Sequence, residues 1–244
     1  MAPPLTEAAC EGCGRPLDAR GIHRSACPHS GRVKRRATPT ERALARVCRE
    51  AGAVVRQNVL LRDMNLGVGA GDRRQIEVLA QGLPLHSGAQ LAVDITLRSV
   101  LTSGGGPRAR AAAVDGAVAE AARQDKEAAY PEFLSSRRCV LVVVGIETGG
   151  RWSAEASAFV EALAHARARD ALAHLRWATA LAWQRRWTRL LGTACAIAFA
   201  RSLVAPAGDV ATAPCDGCTP ELSDLLASCG GSLGAGPHRA PLRG

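Results

Sequence analysis

Nine residues in the second half of the chain, CVLVVVGIE from Cys139 to Glu147, are almost wholly apolar and are bounded by Arg138 and Gly149. The run is too short to cross a membrane, and its β-branched content makes it a buried strand rather than a helix. A sheet with this strand at its centre is therefore the expected core. The segments around it read as helix, three strands, helix, strand, helices. The first helix is ERALARVCREAGA, capped by Thr40 with Leu44, Val47 and Cys48 as its stripe. AVVRQNVLL, RRQIEVLA and QLAVDITL read as strands, and QGLPLHSGA joins the last two as a hairpin connection. An Ala-rich helix over residues 108–130 ends at Pro131, and amphipathic helices follow over residues 153–170 and from Leu172 to Leu203.

At 244 residues the chain is long enough for one main domain with appendages. Residues 10–29 are dense in Cys and His, 31–39 form a basic connector ending in Pro39, and residues from 205 onward are rich in Pro, Gly and Ala without a period. The expected division is a zinc finger over 1–30, a linker over 31–39, the core over 40–150, a helical extension over 151–204 and a disordered tail over 205–244. No apolar run has membrane-spanning length, and the N-terminus has no basic segment leading into an apolar one, so an intracellular, reducing environment is expected.

In such an environment clustered cysteines point to metal. Cys10 and Cys13 have the Cys-x2-Cys spacing of a zinc knuckle, and His23 with Cys27 adds a His-x3-Cys pair. His29 competes with Cys27 for the fourth position. Either set closes a tetrahedral shell, which makes the expected Zn2+ structural. Cys215 and Cys218 form a second pair, with Cys229 and His238 as weaker completing ligands. Cys48, Cys139 and Cys195 stand alone and read as small buried hydrophobes.

The formal charge of +9 favours a polyanionic partner or an anionic membrane surface. Arg32, Lys34, Arg35 and Arg36, just beyond the Cys/His cluster, suit phosphate contacts. The stripe of Trp183, Trp187, Leu190 and Ala194 reads as core rather than as a base-stacking platform.

Two acids stand inside apolar strands. Asp94 lies among Val93 and Ile95, and Glu77 lies between Ile76 and Val78. A hairpin whose turn is centred between Leu85 and His86 places them directly opposite, with Cβ atoms about 5 Å apart. Two carboxylates so close repel unless a cation sits between them, which makes them candidate ligands of a divalent ion such as Mg2+.

This pattern resembles the PD-(D/E)XK nuclease superfamily. More narrowly it is similar to the restriction-like endonuclease of site-specific non-LTR retrotransposon proteins, in which a Cys-Cys-His-Cys finger precedes the nuclease. The resemblance covers roughly residues 10–150. It implies an α/β fold with a restriction-endonuclease-like core (helix, three-strand meander, helix, strand), flanked by a small N-terminal zinc finger and C-terminal helices. It further implies Mg2+-dependent nicking of duplex DNA, a nuclear or other intracellular location, and a role as one module of a mobile-element protein or as a stand-alone relative. Glu77 takes the place of the family's first acid, without the preceding Pro. Asp94 takes the second, with Thr96 where many relatives carry the catalytic Lys. Lys126 and Tyr130 match a Lys-x3-Tyr pattern that holds the displaced lysine on the following helix. Glu41 matches a frequently acidic position on the first helix, and Asp72 is a further candidate ligand. The same features also fit a nuclease fold that binds DNA without cutting it, and more distantly a zinc-knuckle protein-interaction domain.

Overall fold

The computed structural model describes residues 9–204 apart from residues 11, 19–20, 31–35 and 65. Cys215, Cys218, Cys229 and His238 lie outside the described residues. Along the chain run α1 (Ile22–Ala26), α2 (Ala37–Glu50), β1 (Val54–Leu60), β2 (Gln75–Gln81), β3 (Gln90–Arg98), α3 (Ala117–Ala129), α4 (Glu132–Ser135), β4 (Cys139–Glu147), α5 (Ala154–Arg167) and α6 (Arg176–Val204). The fold is α/β, with a four-stranded mixed sheet of order β1-β2-β3-β4. β1, β2 and β3 form an antiparallel meander, and β4 pairs in parallel with β3 after the crossover through α3.

β4 is thus an edge strand, not the central one. Its apolar content is explained by the helices packed against it and by cover along its open edge. Residues 151–153 turn back on it, Ser153 N donating to Gly145 O and Glu147 N to Arg151 O. Further along, Val143 N donates to a Glu155 carboxylate oxygen at 3.1 Å, and Arg123 reaches Leu141 O at 3.4 Å.

The alternation of β3 divides the interior. Leu91, Val93 and Ile95 face a core built with α2, α5 and α6, while Ala92 faces a smaller cluster of Leu79, Phe133, Leu141 and Val143. The helices of residues 151–204 are therefore not an extension but a layer of the same core, in which Trp187 and Leu191 are fully buried. Cys48, Cys139 and Cys195 are buried in these clusters as small hydrophobes, and burial pushes their thiols up to about 12, 11 and 12.

Two local expectations shift. α2 starts at Ala37, three residues before Thr40, because Pro39 fits a first helical turn that has no use for its missing N–H. Thr40 accordingly bonds back to the carbonyls of Arg36 and Ala37 instead of capping. Residues 108–116 form turns rather than helix, and α3 begins after Gly116, whose φ of 79° suits glycine.

Glu50 ties α2 to α6. It accepts from Trp187 Nε1 at 2.8 Å and from Arg186, with Arg46 one helical turn away. Burial works against the charge, but these donors hold the carboxyl down to about 2. Its contribution is then present above pH 4.5 and lost as pH falls toward 2. Glu50→Ala leaves the Trp187 N–H unpaired in the core and is expected to cost about 2 kcal/mol, or about 4–8 °C in Tm. Thermal melts of Glu50→Gln against the parent chain should show a gap that is widest near neutrality and closes below pH 4.5.

Candidate functional site

The β2–β3 register pairs Val78 with Val93, Leu79 with Ala92 and Ala80 with Leu91. Carried one pair further, it sets Glu77 opposite Asp94. The β1–β2 ladder breaks at the same level, since Gln57 pairs with Val78 and Val59 with Ile76 but Asn58, at φ 52°, drops out. Past the break the alternation flips, and Val59 and Ile76 join the cluster on the Ala92 side. Freed from the ladder, Glu77 turns its carboxylate toward β3 and accepts from Ile95 N at 2.6 Å.

Asp94 is wholly buried. Its Oδ2 accepts from Lys126 Nζ at 2.7 Å, while its Oδ1 is buried with no hydrogen-bond partner. Lys126 stands on α3 and keeps about a quarter of its side chain exposed. The C-terminal end of that helix is pinned to the start of β2 by Tyr130 Oη, which donates to Gln75 O at 2.9 Å, and by Arg74, which donates to Ala129 O and pairs with Glu132 on α4. The Tyr130 ring lies 5.9 Å from Lys126 Nζ and packs edge-on against Phe133.

The electrostatics follow from this crowding. Burial and the neighbouring Asp94 charge push the Glu77 carboxyl up to about 8. Burial raises Asp94 too, against the pull of Lys126. Glu41, on α2, is raised by burial and then by Asp94. Burial works to lower Lys126, but Asp94 and Glu77 leave it above its ordinary value. Glu41, Glu77, Asp94, Lys126 and Tyr130 therefore form one electrostatically linked group. Asp72 stands apart from it: its carboxylate is taken by Arg74, which its short loop places two residues away.

The second constellation is the Cys/His cluster. One ligand atom each from Cys10, Cys13, His23 and Cys27 lies within 4.8 Å of the others. The Sγ atoms of Cys10 and Cys27 are 3.8 Å apart, and those of Cys27 and Cys13 are 3.7 Å apart. A tetrahedron with Zn–S bonds of about 2.3 Å has edges of about 3.8 Å, so the spacing fits a structural zinc. Burial pushes the Cys10 thiol up, but the N–H groups of Gly12 and Cys13 prevail with His23 and bring it to about 6, which favours thiolate. His29 is exposed and is not among the four.

The cluster is tied to the core. His23 Nε2 meets Cys13 Sγ at 3.1 Å while Nδ1 lies 2.9 Å from Ser103 O, in the Gly-rich turn after β3. That carbonyl leaves Nδ1 as the donor and frees Nε2 for a metal. Arg24 donates to Leu203 O at the end of α6, and Gly21, at φ 69°, lies where a Cβ would come 3.1 Å from Leu203. Arg36 departs from its expected role. It is 3% exposed, donates to Ser25 O at 2.6 Å and lies over the Phe199 ring, because the early start of α2 draws it under α1. Arg32, Lys34 and Arg35 lie outside the described residues.

No protein-family model matches this chain, and a search of curated proteins finds no match to it. Among the described residues no helix is long and apolar enough to cross a membrane.

One zinc per chain is expected by metal analysis of the purified protein, lost when Cys10 and Cys13 are both changed to Ser. Hydrogen exchange of the amides of residues 102–106 should rise in that variant while β2 and β3 stay protected. Unchanged exchange would disconnect the cluster from the turn.

Proposed function

We propose that this chain is a DNA endonuclease module with a restriction-endonuclease-like core, cutting duplex DNA with the help of a divalent ion, in the manner of mobile-element nucleases that carry a zinc finger. The observation that carries the reading is the convergence of Glu77, Asp94 and Lys126 from β2, β3 and α3, with an unpartnered Asp94 oxygen in the interior. The helix, meander, helix, strand order supports it.

The donor set fits a hard cation. Asp94 Oδ1 lacks a partner, and the three carboxylates of Glu41, Glu77 and Asp94 are each raised by burial, two of them also by the charge of Asp94. Glu77 and Asp94 would hold Mg2+, with Glu41 as the auxiliary acid. When bound, the ion supplies Lewis-acid polarisation of the phosphate and acidifies a water. Lys126, steadied on Asp94 and open at the site's mouth, carries a positive charge to a non-bridging phosphate oxygen or to the attacking water. Tyr130 is a positioning residue, since its bond to Gln75 O fixes the helix end from which Lys126 reaches. The overall charge of +9 and the basic connector favour the DNA partner.

A second reading, a nuclease fold that binds DNA without cutting it, is favoured by Thr96 standing where a strand lysine is expected and by Lys126 already neutralising Asp94. Cleavage decides between them. Wild type should nick plasmid DNA with Mg2+, Asp94→Asn and Glu77→Gln should abolish nicking with DNA binding retained or tighter, and Lys126→Ala should slow it about a hundredfold or more. Absence of nicking with any divalent ion would leave the binding-only reading.

The raised carboxyl of Glu77 gives a pH test. A folded value of about 8 against an ordinary 4.5 means that its stabilisation is full below pH 4.5 and is lost as pH rises through 8. Glu77→Gln should therefore melt above wild type at pH 9 without Mg2+. Added Mg2+ should stabilise wild type more at pH 8.5 than at pH 6, because it must displace a proton at the lower pH.

A further inference from the structure

Between residues 164 and 204 the chain carries seven arginines and one acid, Asp170. Asp170 is spoken for by Arg167, and Arg186 by Glu50. Arg176, Arg185 and Arg189 are exposed, and none of the three forms an ion pair among the described residues. Just before α6 and in its first turn three large apolar side chains stand in solvent within six positions: Leu172 at 66%, Leu175 at 46% and Trp177 at 73% exposure. Trp177 is not a member of the core stripe, since Trp183 and Trp187 fill that role from further along α6.

We infer that the outer surface of the first half of α6 is a binding surface for single-stranded nucleic acid, with Trp177 stacking on an unpaired base and Arg185 and Arg189 pairing with phosphates. The inference rests on the nucleic-acid reading above and extends it to a second surface. Charge selects the occupant. An excess of arginine with almost no acid is complementary to a polyanion, and arginine forks match phosphate oxygens. An exposed indole beside such cations is the pairing that single-strand binders use, because any base offers a face to stack on. From Trp177 to Arg189 the helix rises about 18 Å, room for several nucleotides. α6 packs against α2 and α5, whereas Lys126 stands on α3, so this surface belongs to a different part of the molecule from the acid group. Strand that is opened beside a cut in a duplex is unpaired, and a surface of this kind would retain it.

The test uses the full-length zinc-loaded protein and a fluorescent oligothymidylate of about twelve nucleotides. Binding is followed by anisotropy and by quenching of tryptophan fluorescence. Trp177→Ala is expected to weaken binding at least about fivefold and to remove most of the quenching. The double change Arg185→Ala with Arg189→Ala should lower the slope of log K against log salt by about 1.4, two phosphate contacts' worth. These side chains are exposed, and circular dichroism melts verify that the variants fold. Wild-type affinity in both variants overturns the proposal. So does binding to phosphatidylserine vesicles without binding to the oligonucleotide, and so does a dimer that Trp177→Ala dissolves. Asp94→Asn, run in parallel, separates this inference from the catalytic one. It should bind the oligonucleotide like wild type, so a loss of nicking there with unchanged binding in Trp177→Ala removes the surface alone. Weaker binding in Trp177→Ala with no nicking by wild type removes the catalysis alone.

Discussion

Everything at the centre of this protein is arranged around a carboxylate with no access to water. Asp94 sits in the middle of β3, and an ionised acid there is tolerated only with a counter-charge in contact. Lys126 supplies it at 2.7 Å, and the position of Lys126 in turn depends on where α3 ends. That end is held by Tyr130 and Arg74 against β2 and its preceding loop. Sheet, crossover helix and loop are thus linked through one ion pair. The break at Asn58 belongs to the same arrangement, since it releases Glu77 from regular pairing and lets it lean toward β3. The pair leaves one buried carboxylate oxygen of Asp94 without a hydrogen-bond partner, a cost to stability and the observation on which the proposed cation site rests.

Much of this was legible in the chain. The order of elements followed from periodicity, and the hairpin register followed from a turn centred between Leu85 and His86, because a two-residue side-chain period leaves one register that buries the right face. Lys126 and Tyr130 came from a resemblance, yet their spacing of one helical turn is what brings both over the sheet. Asp72 was a further candidate ligand, but Arg74, two residues on, takes its carboxylate with both its backbone N–H and its guanidinium, a local pairing that the sequence reading passed over. The place of β4 was misread for another reason. An unbroken apolar run reports that both faces are covered, and it is silent about whether another strand lies beside it. Arg36 was the plainest failure, since a basic run reads as solvated until tertiary packing draws one member inside. Trp177 gave no periodic signal at all, being conspicuous only by its exposure.

The Cys/His cluster reads in sequence as an independent finger, and its spacing found Cys10, Cys13 and His23 but left the fourth position open between Cys27 and His29, which the geometry gives to Cys27. Its connections place it elsewhere in the design. His23 reaches the turn after β3, Arg24 the end of α6, and Arg36 returns from the start of α2 to Ser25. Three segments far apart in the chain meet at one small module with little apolar surface of its own. A metal there would act as a staple joining those segments.

The open side of β4 has a consequence for how copies of this chain behave in a crowd. An exposed strand is a template on which another strand can register. Here several of the groups that would recruit it are already engaged: the 151–153 segment folds over one half, while a glutamate and an arginine from flanking helices answer an N–H and a carbonyl on the other. An incoming chain would have to displace charged side chains from their partners before pairing along the whole strand. The most aggregation-prone stretch in the sequence is thereby made a poor nucleus for fibrous growth, and the strand is free to be as greasy as the interior requires.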